Sequence, residues 1–393
     1  MHKRTIDDLA LAGKRVFIRV DFNVPLTADG AIGSDARIRK SLPTIRRAME
    51  AGGRVILASH LGRPKNGVGP SLAPVAQRLG ELLGQPVPLA PDCVGPAVEA
   101  MVADLPPGGV ILLENVRLHP GETANDPEMA RGFARLADVV VNDAFGTAHR
   151  AHASNVGVAE LVPSVAGLLM ADELAFFRRA MIAPERPVAA LLGGSKVSTK
   201  IQLIESLLAR MNVIMIGGAM AFTFLLARGG RVGSSLVEPE MLEVASRTEA
   251  RAREMGVELM LPVDAVIAEN RDGSGEVRTV AADAIPDGWM GLDVGPETAR
   301  RFAERLLAMR TVVWNGPVGV FEIPAFAEGT LALARAIARG SALSVAGGGD
   351  TEAAIAKAGV ADGIDHISTG GGAFLELLEG KELPGVAVLT DAA

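Results

Sequence analysis

The sequence is 393 residues long, 49% hydrophobic, 22% charged and 4% aromatic, with 45 glycines, one cysteine and a formal net charge of −7. That length exceeds a single hydrophobic core and points to two domains, while the apolar content excludes a disordered chain. The acidic balance excludes nucleic acid and anionic membrane as partners, and the lone Cys93 excludes an intramolecular disulfide and a cysteine-based zinc site, in keeping with a reducing, cytoplasmic setting.

No export signal is expected at the start, because Asp7 and Asp8 interrupt the apolar stretch that one requires. Strand-like runs follow at 15–20, 55–58, 87–89, 110–113 and 139–141, with helical patterns such as 72–83 between them. The segment 170–181 reads as an amphipathic helix, and Pro184 and Pro187 after it mark a linker. Six further strands are expected at 188–192, 213–216, 258–261, 311–314, 343–346 and 366–368. The uncharged stretch 211–227 is short for a membrane span and carries Gly217 and Gly218 in its middle, so it reads as strand, turn and helix. The apolar tail 384–390 is expected to pack as a strand or extended segment. Strands alternating with helices indicate an α/β fold of parallel sheets flanked by helices, and the lack of a short repeat favours two independently wound sheets.

Ligands of open α/β sheets bind beyond the carboxyl ends of the strands. In the first half those positions hold Asp21-Phe-Asn23, His60-Leu-Gly-Arg63, Glu114-Asn-Val-Arg117, and Asn142-Asp143 with Arg150 downstream, while Arg37 follows a glycine-rich turn. Gathered at one sheet edge, Arg37, His60, Arg63, Arg117 and Arg150 would form a cationic bowl. Arginine's planar fork grips phosphate or carboxylate with two parallel bonds, so a small polyanion is the implied ligand. Taken singly, each arginine fits a surface residue or ion-pair partner better, a reading that their recurrence after successive strands weakens, and His60 fits a neutral histidine satisfied by backbone groups equally well.

In the second half glycine replaces arginine. Gly193-Gly-Ser-Lys196-Val-Ser-Thr-Lys200 lies where a strand gives way to a helix. Two lysines four apart would share one face of a first helical turn, where the helix dipole disfavours cations unless an anion sits between them. The run is not a Walker A loop. Further glycine turns at Gly217-Gly218, Asn315-Gly-Pro317, Gly347-Gly348-Gly349-Asp350-Thr351 and Thr369-Gly370-Gly371-Gly372 suit a nucleotide held by backbone amides. Asp350 reads either as a helix cap or as a carboxylate facing nucleotide-bound magnesium. Glu322 reads either as a solvated loop acid or as an acceptor for ribose hydroxyls.

Nine segments in order carry a resemblance to phosphoglycerate kinase. They are RVDFNVPL from Arg19, DARIRKSLPTI from Asp35, SHLGRPK from Ser59, LLENVR from Leu112, NDAFGTAHRAHAS from Asn142, GGSKVSTK from Gly193, WNGPVGVFE from Trp314, GGGDT from Gly347 and STGGGA from Ser368. The resemblance implies two Rossmann-like domains: 1–170, onto which the tail 380–393 returns, and 184–379, joined by a hinge at 171–183. It implies 3-phosphoglycerate or 1,3-bisphosphoglycerate on Asp21, Asn23, Arg37, His60, Arg63, Arg117 and Arg150. It implies MgADP or MgATP on Gly193, Lys196, Lys200, Gly217, Asn315, Pro317, Glu322, Gly348, Gly349, Asp350 and Thr351, with Asp350 beside Mg2+. Arg37, Lys196, Gly371 and Gly372 would stabilise the phosphoryl group in flight, and the family suggests a monomer. The sequence departs from the family pattern at Ser195, where alanine is frequent, and at Leu118-His119-Pro120, which replaces phenylalanine, a polar residue and lysine. Two other readings fit less well. A nicotinamide-dependent dehydrogenase would place Gly-x-Gly-x-x-Gly where Asp21-Phe-Asn23 stands, and a catalytically inactive binding protein would show gaps at Lys196, Arg37 or Asp350.

Overall fold

The computed structural model describes residues 2–65 and 67–392. Met1, Asn66 and Ala393, which fall inside the expected domain ranges, lie outside the described residues. The chain divides into two compact units, Met1–Ala175 with Glu382–Ala393, and Phe176–Lys381.

In the first unit the strands are β1 (Arg15–Arg19), β2 (Arg54–Ala58), β3 (Val110–Leu112), β4 (Val139–Asn142) and β5 (Ser164–Ala166). They form one parallel sheet in the order β3-β2-β1-β4-β5. Because side chains alternate across a strand, Val16 and Ile18 enter one core while Phe17 enters the other. The helices are α1 (Ala36–Glu50), α2 (Ala73–Leu83), α3 (Pro96–Ala103), α4 (Pro120–Thr123), α5 (Pro127–Arg135) and α6 (Leu168–Phe177), the last reaching the second unit. Residues 87–89 do not form the expected strand. Pro88 has no amide hydrogen to donate, so the segment makes only an isolated bridge from Leu89 to Leu112. The expected helix 170–181 keeps its one-sided burial at Met170, Leu174, Phe177 and Met181, but its last turn, Arg178–Ile182, widens to π geometry.

The second unit holds β6 (Val188–Leu192) and β7 (Val213–Ile216), separated by α7 (Ile201–Leu208) and followed by α8 (Met220–Ala227), so that 211–227 is strand, turn and helix. Next come β8 (Arg231–Val232), α9 (Leu242–Glu254), β9 (Glu258–Met260), β10 (Asp264–Ala268), β11 (Val277–Ala281), β12 (Ala284–Ile285) and β13 (Met290–Val294). The unit closes with α10 (Pro296–Leu307), β14 (Thr311–Asn315), α11 (Glu328–Arg339), β15 (Leu343–Ala346), α12 (Gly349–Ala358), β16 (His366–Ile367) and α13 (Gly372–Leu378). Its main sheet is parallel in the order β16-β15-β14-β6-β7-β9. A smaller antiparallel sheet, β11-β10-β13, and the β12-β8 pair were not expected from the sequence.

The tail does not form the expected extended segment. It makes a short helix, α14 (Pro384–Ala387), whose first turn Pro384 suits. Within the first unit Asn142 Nδ2 donates to Gly385 O at 2.9 Å, and Thr390 N donates to Ser164 O at 3.0 Å.

Candidate functional site

In the first unit, parallel strands deliver the sequence-predicted residues to one edge. Asp21 follows β1, His60 follows β2 and Arg117 follows β3. The edge is anchored by Arg19, the last residue of β1, which is 1% exposed. Its Nε donates to Ser154 Oγ at 2.8 Å, its Nη1 contacts Val20 O, and its Nη2 lies 3.3 Å from His60 Nδ1. Arginine can only donate, so His60 Nδ1 must accept and Nε2 carries the proton. Burial, followed by the fields of Arg19, Arg117 and Arg37, holds His60 well below its usual pKa. His60 is therefore a neutral donor.

The loops around it are braced by the buried Asn115 and the partly buried Asn23 and Asp21. Asn115 accepts from Leu61 N at 3.1 Å and Arg117 N at 3.2 Å, and donates to Leu61 O and Pro70 O at 2.9 Å each. Asn23 Oδ1 accepts from Gly62 N at 2.7 Å. Asp21 pairs closely with Arg37. Arg117 donates to Gly62 O at 3.2 Å, but its Nε is buried with no partner in the protein. A buried guanidinium N–H without an acceptor is costly unless an anion supplies one.

Electrostatically these groups form one cluster: Arg117 feels Arg19 and Arg63, and His152 feels Arg19, Arg117, Arg150 and His149. Arg63 and Arg150 are exposed. Burial together with those arginines lowers His152 to about 4. Sequence reasoning passed over Arg19, His149, His152, Ser154 and Glu122. A charged residue in the apolar run Val16-Phe-Ile-Arg19-Val20, on the same strand face as Phe17, was the available signal.

In the second unit, Gly193 follows β6, which lies between β14 and β7 where the strand order reverses. A Cβ at Gly193 would overlap the carbonyls of Pro317 and Gly316, and one at Gly217 would press on Val318, so both turns require glycine. Asn315, 2% exposed, donates to Gly347 O at 2.6 Å and accepts from Lys200 Nζ. Burial lowers the Lys200 pKa, against the fields of Glu379 and Asp350. Thr351 Oγ1 accepts from Gly316 N at 2.8 Å and donates to Gly347 O at 2.9 Å. Three glycine turns are thus tied to one another through Asn315, Thr351 and Lys200.

Lys196 and Lys200 do not share a first helical turn. Helix α7 opens at Ile201 with Lys200 as its N-cap. The preceding donors are taken up locally: Ser198 donates to Glu238 through N at 3.0 Å and Oγ at 2.5 Å, and Thr199 Oγ1 donates to Lys196 O at 2.9 Å. Lys196 is exposed. Gly348, at φ 103°, caps α12, which begins at Gly349, so Asp350 lies in its first turn and is not its cap. The exposed Asp350 carboxylate offers the hard oxygen donor that a phosphate-bound Mg2+ takes, so the residue fits that ion. Glu322 is also exposed, and Lys357 Nζ holds the backbone there through Phe321 O at 2.6 Å and Glu322 O at 3.2 Å. Gly371, at φ 45°, caps α13, which begins at Gly372.

Residues 6–381 match the family model for phosphoglycerate kinase. The chain is 54% identical over 412 residues to a phosphoglycerate kinase of Synechococcus sp. (strain JA-3-3Ab), with all of both chains covered. It is also 54% identical to a cytosolic phosphoglycerate kinase of Triticum aestivum, covering 99% of this chain and 98% of that one. Among solved structures, a phosphoglycerate kinase from Coxiella burnetii superposes with a TM-score of 0.92 at 44% identity, covering 98% of each chain. Motifs, fold and near-complete coverage agree: the chain belongs to the phosphoglycerate kinase family.

Proposed function

We propose that the two glycine- and arginine-lined edges divide the substrates of this kinase between them. The reaction is reversible phosphoryl transfer between 1,3-bisphosphoglycerate and ADP, giving 3-phosphoglycerate and ATP. On the first unit, Asp21, Asn23, Arg37, His60, Arg63, Arg117 and Arg150 bind the triose phosphate. The observation that carries this reading is the cationic cluster around a neutral His60, with the unpartnered buried Nε of Arg117 inside it. Such a site favours a ligand bearing two anionic groups.

On the second unit, Gly193, Lys196, Lys200, Gly217, Asn315, Pro317, Glu322, Gly348, Gly349, Asp350 and Thr351 bind ADP or ATP. Asn315 and Thr351 act chiefly by holding the turns and Lys200 in register, since their polar atoms are engaged within the protein. Mg2+ bound with the nucleotide beside Asp350 would neutralise phosphate charge. The acceptor carboxylate is ionised near pH 7, so no general base is needed, and alignment, charge neutralisation and exclusion of water supply the rate. Arg37, Lys196, Gly371 and Gly372 stabilise the phosphoryl oxygens in the transition state. Transfer requires donor and acceptor oxygens to meet, so turnover waits on bringing the two ligands together. The setting we propose is the cytoplasm, and the protein acts as a monomer. Among the described residues no helix is long and apolar enough to cross a membrane.

Calorimetric titration tests the division of ligands. Arg117→Met is expected to weaken 3-phosphoglycerate binding about tenfold or more while sparing MgADP, and Lys200→Met to do the reverse. Equal loss of both ligands in either variant would overturn it.

A further inference from the structure

A separate group of ligating side chains lies on the first unit. Asp92 and Cys93 occupy the loop between the Leu89 bridge and α3, and His119 ends the short turn after β3. One ligand atom from each of Asp92, Cys93 and His119 lies within 4.8 Å of the other two. We propose that Asp92, Cys93 and His119 bind one divalent transition cation of zinc's class through carboxylate, thiolate and imidazole, with water in the fourth position.

The donor set favours such an ion over Mg2+ or Ca2+, which take oxygen ligands. Zinc-type bonds of about 2.0–2.3 Å place tetrahedral ligand atoms roughly 3.3–3.8 Å apart. The widest pair must therefore close by about 1 Å, and His119 Nε2, now 2.6 Å from Asp92 Oδ1, must move out by a similar amount. The structure permits this movement where it is needed. The side chains of His119 and Asp92 are 38% and 50% exposed, while Cys93 is buried behind them and held by its thiol donating to Glu114 O at 3.0 Å. Asp92 Oδ1 also accepts from Cys93 N at 2.6 Å, so His119 is the ligand that moves most, and the exposed pair gives a path for entry.

The local field also favours a cation. Burial, and after it the negative potential of Asp92, Glu122 and Glu114, holds the thiol protonated; the potential itself draws a cation to the geometric cluster. Binding forms the sulfur–metal bond as the thiol proton departs to solvent, so charge and atoms balance without an oxidant. His119 belongs to Leu118-His119-Pro120, where the sequence departs from the family pattern. Such a site departs from the expectation that a lone cysteine excludes a cysteine-based zinc site; that expectation was too broad, because a mixed site needs only one thiolate.

The test uses the full chain without an affinity tag, stripped with chelator and titrated with Co2+. The expected result is one equivalent bound, with near-ultraviolet thiolate-to-cobalt charge transfer that Zn2+ abolishes. Cys93→Ser should lose the band, and His119→Gln should weaken Co2+ binding about tenfold or more. His119 and Asp92 are exposed enough that His119→Gln and Asp92→Asn remain informative even if Cys93→Ser fails to fold. Folded wild-type protein without the band at saturating Co2+, or a band and affinity unchanged in His119→Gln, would overturn the site.

Discussion

Glu122 offers a demanding test of how the first unit holds its cationic edge. It is 0% exposed; its Oε1 accepts from Ser154 Oγ at 2.6 Å and its Oε2 from Ser154 N at 2.9 Å. Ser154 Oγ accepts in turn from Arg19 Nε at 2.8 Å, so hydroxyl and backbone link a buried carboxylate to a buried guanidinium. Of the two carboxylates whose charge supports ionised Arg19, Glu122 acts more strongly than Asp21. Glu122→Gln preserves the shape and one acceptor but removes that charge. Leaving a buried ion without its partner costs about 3–5 kcal/mol, and with Asp21 still in place the low end, about 3 kcal/mol, is expected. Both tryptophans, Trp289 and Trp314, lie in the second unit, so their emission during urea unfolding follows that unit alone. Hydrogen exchange of peptides covering β1 and β4 reports the first. Opening free energies there should fall by about 3 kcal/mol while the tryptophan midpoint stays nearly fixed. A loss below about 1 kcal/mol would refute the view that Glu122 compensates Arg19.

Asn315→Ala removes the acceptor of the half-buried Lys200, whereas Gly347 O keeps its bond from Thr351 Oγ1. MgADP affinity by calorimetry should therefore fall about tenfold or more, the scale of a lost hydrogen bond to a charged group. Burial raises Asp143 to about 7, so the folded state keeps a proton that the unfolded chain has released above about pH 4. Its contribution to stability is present below pH 4 and lost as pH rises to 7, by up to about 4 kcal/mol. Asp143→Asn should gain exchange protection over wild type at pH 7 relative to pH 4; an equal difference at both values would contradict the shift. Gly193→Ala would drive its Cβ into the Pro317 carbonyl, and should either unfold the second unit or abolish nucleotide binding, read by tryptophan emission and MgADP titration.

Much of this was legible because parallel strands buried on both faces announce themselves as apolar runs ending in glycine or charge. In the second unit β6, β7, β14 and β15 are of this kind, as are four strands of the first; the edge strands β9 and β16 were expected too, although they are only partly buried. Residues 87–89 had the apolar content but also Pro86 and Pro88, which deny the ladder its donors. β11 was invisible because it is almost wholly exposed, so neither continuous nor alternating hydrophobicity marks it. The arginines and glycines of the edges could be listed from their positions after strands, but the supporting contacts could not. Ser198 bonds Glu238, and Arg19 reaches Ser154; both partners are remote in sequence, and in the first case the bond delays the helix that Lys196 and Lys200 were expected to open. Asp350 stays ambiguous in sequence because the cap of α12 is set by the backbone turn at Gly348, which no side chain announces.

The most direct measurement is turnover of the purified protein with 3-phosphoglycerate and MgATP, coupled to NADH-dependent reduction of the acyl phosphate, beside Lys196→Ala and Arg37→Ala. Wild-type protein should turn over rapidly, and each variant should lose about 100- to 1,000-fold in kcat. Near-wild-type kcat in both variants would contradict the assignment of Lys196 and Arg37 to the phosphoryl group.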